Sequence, residues 1–207
     1  MKVFVFGGGG DIGEYVLKRL SAEGHEAVTI AETENRAEEL KMVGASKVMI
    51  TTRNDFVDAL AGCEALIYVS GANPAAGENM NVLVDHDAVA RAMDEAHRQG
   101  IERIVYLSPV RADESQESKK TGGKQMPEEL IMRNDFVYTV VKPSRTVSKP
   151  GTGMVNAGSS IHVSEGEIPY EDVAAVLVES LSNEDAFNKA FELSSGDTPI
   201  KEALQKV

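Results

Sequence analysis

The chain is poor in the residues that build covalent and metal-bound frameworks. Among its 207 residues there is a single cysteine, Cys63. No intrachain disulfide can form, and a reducing, cytoplasmic setting is the expectation. Cys63 lies in LAGCEALIYV, at the head of an apolar run, which marks a packed thiol rather than a reactive one. Histidine is equally scarce: His25, His86, His97 and His162 are scattered. None falls into a ligand-like spacing, so the expected metal complement is none. His86 is flanked by Asp85 and Asp87, but adjacent residues on a helix do not converge on one point. Positive charge is in deficit, with 21 Lys and Arg against 33 Asp and Glu and a net charge of −12. That field repels phosphate backbones and anionic membrane surfaces, which argues against nucleic-acid and membrane partners. Its simpler consequence is solubility. No apolar run approaches membrane-spanning length, and no charged-then-apolar leader precedes the first strand-like segment. Internal repeats, low-complexity linkers, a G-x-S-x-G, a P-loop lysine and a basic–aromatic patch are likewise missing.

What is present is concentrated at the start. Met1 to Phe6 is β-branched and aromatic, and it runs directly into Gly7-Gly8-Gly9-Gly10-Asp11-Ile12-Gly13. An apolar segment of helical period follows, with Ile12, Val16, Leu17 and Leu20 on one face and Gly24 at its end. Strand, glycine turn and helix in this order form the entrance of a dinucleotide-binding unit. Glycines let the backbone turn tightly and approach a pyrophosphate, and the helix N-terminus offers unpaired N–H groups to the anion. Gly7, Gly10 and Gly13 have the spacing G-x-x-G-x-x-G, and Gly9 also permits G-x-G.

Beyond the turn the pattern alternates. Strands are expected at Ala27–Ile30, Val48–Ile50, Ala65–Val69 and Ile101–Leu107, separated by helical periods around Ala37–Val43, Phe56–Leu60 and Val82–Arg98. Short glycine-bearing loops join them. This predicts an α/β fold, a single doubly wound parallel sheet covered on both faces, Rossmann-like, in one domain over residues 1–207. Helix and strand return at Glu128–Arg133 and Phe136–Val141, then a helix at Tyr170–Leu181 and a last short strand at Ala190–Leu193. Irregular, substrate-side segments are expected near 72–80, 109–123 and 144–168, the last rich in Pro, Gly, Ser and Thr.

Several blocks together resemble the atypical short-chain dehydrogenase/reductase family, in particular its small NAD(P)-binding members related to the NmrA-like and sugar-epimerase-like groups. They are VFVFGGGGDIGEYVLKRL, GCEALIYVSG, LVDHDAVARAMDEAHRQGIERIVYLSPVRAD, YTVVKPSRTVSKPGTG, IPYEDVAAVLVESL and FELSSGDTPIKEAL, in family order over most of the chain. The resemblance implies an NAD(P) cofactor, with Gly7, Gly9, Gly10, Asp11, Ile12 and Gly13 forming the pyrophosphate turn. Ser70 and Gly71 would pass under the adenosine and ribose. Pro143 lies where the family backbone passes the nicotinamide. Ser108 stands where the family carries its active-site hydroxyl, and Lys124 where its lysine holds the nicotinamide ribose; these two are the expected catalytic residues.

The departures from the family pattern are specific. Its catalytic motif is Y-x-x-x-K, and four residues before Lys124 stands Lys120, so the tyrosine is missing. A lysine does not replace a phenol as acid and base. Tyr106 falls inside a strand and Tyr170 at a helix start. At the end of the second strand, where NADP-using relatives place an arginine, the chain has Glu32. A carboxylate repels a 2′-phosphate and accepts hydrogen bonds from ribose hydroxyls, which favours NAD over NADP. The usual acid sits one residue earlier, at Ala31, and Arg36 remains a candidate partner for a phosphate. Thr51 or Thr52 stands where the family has an adenine-contacting aspartate, and Ser144 replaces a glycine after Pro143. Asp11 either opposes the pyrophosphate or compensates the helix dipole. Glu171 and Asp172, in the first turn of the last long helix, read as structural. The leading expectation is an oxidoreductase or epimerase-type protein moving hydride between a nicotinamide and a small carbonyl or hydroxyl compound. The alternatives are a noncatalytic NmrA-like dinucleotide-sensing or protein-interaction module, and a scaffold that has lost its cofactor.

Overall fold

Alternation within short apolar runs decides which side chain enters which layer. In β1 (Lys2–Phe6) Val3 and Val5 face one side of the sheet while Phe4 and Phe6 face the other, and all four are buried. The same two-residue period places Ala65, Ile67 and Val69 of β4 (Ala65–Val69) opposite Leu66 and Tyr68. A strand buried on both faces needs a cover on each, and the chain supplies one. Val16, Leu17 and Leu20 of α1 (Asp11–Ala22) and Ala37 and Leu40 of α2 (Glu34–Val43) join the valine side. Ala59 and Leu60 of α3 (Val57–Leu60) and Met93 and Ala96 of α4 (His86–Arg98) join the aromatic side. There Phe6, Tyr68 and Tyr106 run across three neighbouring strands, with ring centroids 5.3 and 5.5 Å apart.

The computed structural model describes residues 1–51, 57–69, 86–108, 131–132, 136–159 and 166–207. The remaining strands are β2 (Glu26–Ala31), β3 (Lys47–Ile50), β5 (Arg103–Leu107), β6 (Val137–Pro143), β7 (Arg145–Val147), β8 (Met154–Gly158), β9 (Glu167–Pro169), β10 (Lys189–Ser195) and β11 (Thr198–Pro199). Two further helices are α5 (Tyr170–Glu179) and α6 (Ile200–Leu204). The main sheet has the order β3-β2-β1-β4-β5-β6-β10-β8-β11, and β7 pairs with β9 separately. From β3 to β10 every pairing is parallel. The doubly wound α/β architecture is therefore as expected.

The parallel expectation holds up to one edge. β8 lies antiparallel to β10, and β11 antiparallel to β8. Residues 144–159, expected to be irregular, contain β7 and β8, and the chain does not end its regular structure at Leu193 but adds β11 and α6. The reason is non-local. Asp172, only 2% exposed, accepts hydrogen bonds from the Thr152 N–H at 3.0 Å, the Gly153 N–H at 2.8 Å and the Thr152 hydroxyl at 3.2 Å. Glu171 accepts from the Gly151 N–H at 3.0 Å. The two first-turn acids of α5 are structural as expected, but they work by tying the loop into β8 down.

At the opposite end of the sheet Arg103 opens β5 with its guanidinium buried. It donates to the carbonyls of Val137 at 2.8 Å, Ile104 at 2.9 Å and Leu181 at 3.3 Å, to the Thr139 hydroxyl at 2.6 Å, and to the Ser180 carbonyl. Its Cζ lies 4.5 Å from the Phe187 ring centre. Burial pulls its pKa down to about 10, so it stays charged at neutral pH. Ser180 caps the C-terminus of α5 and Leu181 follows it, where a cation also meets the negative pole of the helix. Arg103→Met leaves these buried carbonyls without a donor and is expected to lower unfolding free energy by about 3 kcal/mol, read as a shift in the urea midpoint. An unchanged midpoint would show that the clasp is dispensable.

Candidate functional site

The turn between β1 and α1 is set by close packing rather than by composition alone. Gly7 adopts φ +74°, and a Cβ there would lie 2.4 Å from the Val69 carbonyl oxygen at the end of β4. A Cβ on Gly13 would lie 2.0 Å from the Gly7 oxygen and 2.7 Å from the Gly8 Cα. The first turn of α1 thus rests directly on the strand–helix loop, which the Gly10 N–H closes by donating to the Gly7 carbonyl at 3.0 Å. Gly8 is equally constrained, since its Cβ would lie 2.5 Å from Thr29 Oγ1, a hydroxyl that itself donates to the Val5 carbonyl at 2.8 Å. Gly9 differs: a Cβ there would meet nothing nearer than the Arg36 guanidinium at 3.6 Å. Gly10 caps α1 without any side-chain hydrogen bond. Asp11 is exposed, whereas the Ile12 side chain is half-buried against the core, leaving only its backbone for a ligand.

β1 and β4 are neighbours with β2 on the other side of β1, so the chain's winding reverses beside this turn. In open α/β sheets ligands bind past the strand C-termini at such a reversal. Glu32 follows β2 directly and is exposed at that edge, and Thr33 caps α2 by accepting from the Arg36 N–H at 3.2 Å. The Arg36 side chain folds back over the glycine turn. Its Nη2 donates to the Gly9 carbonyl at 2.8 Å and to Glu14 Oε1, and its Nη1 donates to Glu39 Oε2 at 2.7 Å. The bond to Glu39, ahead of that to Glu14, raises the guanidinium's pKa above its ordinary value despite partial burial.

Two strands further along, Ser108 follows β5 with 6% exposure, and its N–H donates to the Val141 carbonyl of β6 at 2.9 Å. Pro143 ends β6. Ser144 is buried beside it, its N–H donating to the Leu193 carbonyl at 2.7 Å and its hydroxyl unpaired among the described residues. Gly7, Ser108 and Pro143 therefore stand on the same C-terminal edge of the sheet. Ser70, Gly71, Lys120, Lys124 and Thr52 lie outside the described residues; Thr51 is described, its N–H donating to the Ala31 carbonyl at 3.0 Å. Tyr106 is buried within β5 and Tyr170 begins α5. Cys63 is buried, its thiol donating to the Ala59 carbonyl at 3.6 Å, and burial pushes its pKa up. No metal-holding group of His, Cys, Asp and Glu occurs among the described residues, and no helix among them is long and apolar enough to cross a membrane.

A family model described as NAD(P)H-binding matches residues 7–184, from the first glycine of the turn to beyond α5. The chain belongs to this NAD(P)H-binding family. Its relatives include an uncharacterized sugar epimerase, YhfK, of Bacillus subtilis, 29% identical over the whole of both chains. A solved structure from Bacillus halodurans, inferred to be an NAD-dependent epimerase/dehydratase, is 27% identical, with a TM-score of 0.88 and full coverage of both chains. The anaerobilin reductase ChuY of Escherichia coli O157:H7 shares the fold at 19% identity, with a TM-score of 0.72 over 95% of this chain and 98% of its own. The chain is thus an NAD(P)H-binding protein with a Rossmann-like fold. The residues present fit the cofactor of this NAD(P)H-binding family: the cradle at Gly7, Gly8 and Gly13 has no room for a Cβ, and α1 presents its N-terminus there without a side-chain cap.

Two features escape a reading of the sequence. Gly8 looks like a spare glycine in a run of four, and only the approach of Thr29 reveals why it is needed. The bond between Arg36 and Glu14 joins residues 22 apart and has no local signal. The packing separates the glycines by role: Gly13→Ala is expected to cost about 3 kcal/mol or more, and Gly9→Ala less than about 1 kcal/mol. Thermal unfolding of the two variants measures the difference, and equal losses would refute the assignment.

Proposed function

We propose that this chain binds NAD in preference to NADP along the C-terminal edge of the sheet, within one domain over residues 1–207. There it would transfer hydride between the nicotinamide and a small carbonyl or hydroxyl compound. One observation supports this above the others: the β-strand, Cβ-free turn and uncapped helix N-terminus stand on the same sheet edge as a buried serine. The amides of Asp11 to Gly13 would face the pyrophosphate, and the Glu32 carboxylate would accept hydrogen bonds from the adenosine ribose. Ser70 and Gly71 would lie along the adenosine and ribose, and Lys124 would hold the nicotinamide ribose. When bound, the reduced nicotinamide supplies a hydride to a carbonyl carbon. The Ser108 hydroxyl would already donate a hydrogen bond to the carbonyl oxygen, orienting it and stabilising the negative charge that develops on it. The oxygen takes up a proton from solvent as the alcohol forms.

A second reading has its own support. Lys120 stands where a phenol would serve as acid and base, and a protein lacking that group can sense a dinucleotide without turning it over.

Calorimetric titration with NAD, NADH, NADP and NADPH, followed by NADH oxidation over a panel of small carbonyl compounds, tests both. The expected outcome is tighter binding of the non-phosphorylated pair, and turnover that falls about 100-fold in Ser108→Ala while NADH affinity holds. Equal turnover in that variant removes the role given to Ser108. NADH binding without turnover of any compound favours the sensing reading, and no binding at millimolar concentration overturns both.

A further inference from the structure

The corner between the glycine turn and α2 holds one guanidinium and two carboxylates. Arg36 comes from the first turn of α2, Glu39 from the next turn of the same helix, and Glu14 from α1 across the groove. Arg36 Nη2 bridges the Gly9 carbonyl, at 2.8 Å, and Glu14 Oε1. Its Nη1 is taken by Glu39 at 2.7 Å. The Gly9 carbonyl belongs to the proposed phosphate turn, and Glu32 stands at the same corner at the end of β2. This is where the adenosine ribose of a bound dinucleotide presents its 2′ position, and where an arginine would receive a 2′-phosphate. The arginine is in place, but both of its terminal nitrogens already donate to acceptors of the protein.

We infer that Glu14 is a specificity-determining residue, which withholds Arg36 from a 2′-phosphate by binding its guanidinium across the turn. This rests on the NAD reading above and supplies its physical cause. Glu39 also holds the guanidinium, and its hydrogen bond weighs more on the Arg36 pKa than that of Glu14, but it sits on the same helix as Arg36 and is the more exposed of the two carboxylates. Glu14 differs in joining two elements and in sharing Nη2 with a backbone carbonyl, which fixes the guanidinium against the turn. A 2′-phosphate arriving there must break a formed ion pair and then sit beside the released Glu14 carboxylate, a like charge. A 2′-hydroxyl meets neither penalty.

The test is the ratio of NADPH to NADH dissociation constants, measured by calorimetry on the full chain. Glu14→Ala is expected to lower that ratio at least tenfold. Adding Arg36→Met to Glu14→Ala is expected to reverse most of that fall, since the freed guanidinium is the larger part of what the phosphate would gain, and a ratio unchanged by the added substitution overturns the inference. Glu14→Gln keeps the side-chain shape and repeats the measurement if the alanine variant does not fold. A ratio within twofold of wild type in both Glu14 variants overturns the inference and leaves NAD binding standing. A wild-type protein that binds NADPH as tightly as NADH also overturns it, because the ion pair then poses no barrier. Binding of neither dinucleotide to the wild type removes the NAD reading itself, and this inference with it.

Discussion

The contact between Gly13 and the Gly7 carbonyl is the constraint on which the rest of the site depends. An α-helix can begin directly at the end of β1 only if nothing projects from its third residue toward the strand it has just left. Because nothing does, α1 lies flat on the turn with its N-terminus over the sheet edge. Val16, Leu17 and Leu20 then fall into the same core cluster as Val173, Val176 and Leu177 of α5. Packing α1 against α5 in turn locates the acids of α5 that hold the loop into β8. One missing methyl group thus links the proposed phosphate site to the far edge of the sheet.

The electrostatics of the site follow from that geometry. A chain with a net charge of −12 does not attract an anionic dinucleotide from a distance. Attraction must therefore be local, from backbone amides at the N-terminus of α1, whose field falls off within the first turn. The guanidinium at the turn, Arg36, is already paired with Glu14 and Glu39. Under the proposed reading, the two charges of a pyrophosphate would lie on the helix, and a third phosphate beside α2 would gain little. At the other end of the sheet the polar work is purely structural. Arg103 satisfies carbonyls from β5, β6 and the residues that close α5.

How much of this was legible in the sequence depended on whether the signal was local. The limits of β4, Ala65–Val69, are legible because a continuous apolar run bounded by Gly62 and Gly71 can be recognised residue by residue. The glycine turn was legible for the same reason. Residues 144–159 were not: Pro, Gly, Ser and Thr suggest irregular chain, yet β7 and β8 form there because β9 and β10 supply partners and Asp172 anchors the approach. The antiparallel edge is invisible for the same cause, since strand direction is decided by pairing and not by composition. Within the site, the positions of Ser108 and Pro143 were accessible through family resemblance. The pairing of Glu14 with Arg36 was not, because it needs two helices to be docked before the residues meet.

The most direct test of the glycine turn as the pyrophosphate site is a titration of the ¹⁵N-labelled protein with NADH, followed by amide chemical shifts. The expected result is that the amides of Gly7 to Gly13, together with Glu32, move on binding, while those around Arg103 and Leu181 stay in place. Perturbations that spare the turn and gather instead around the cavity of about 510 Å³ lined by Arg19, Asp172 and Lys201 would contradict it.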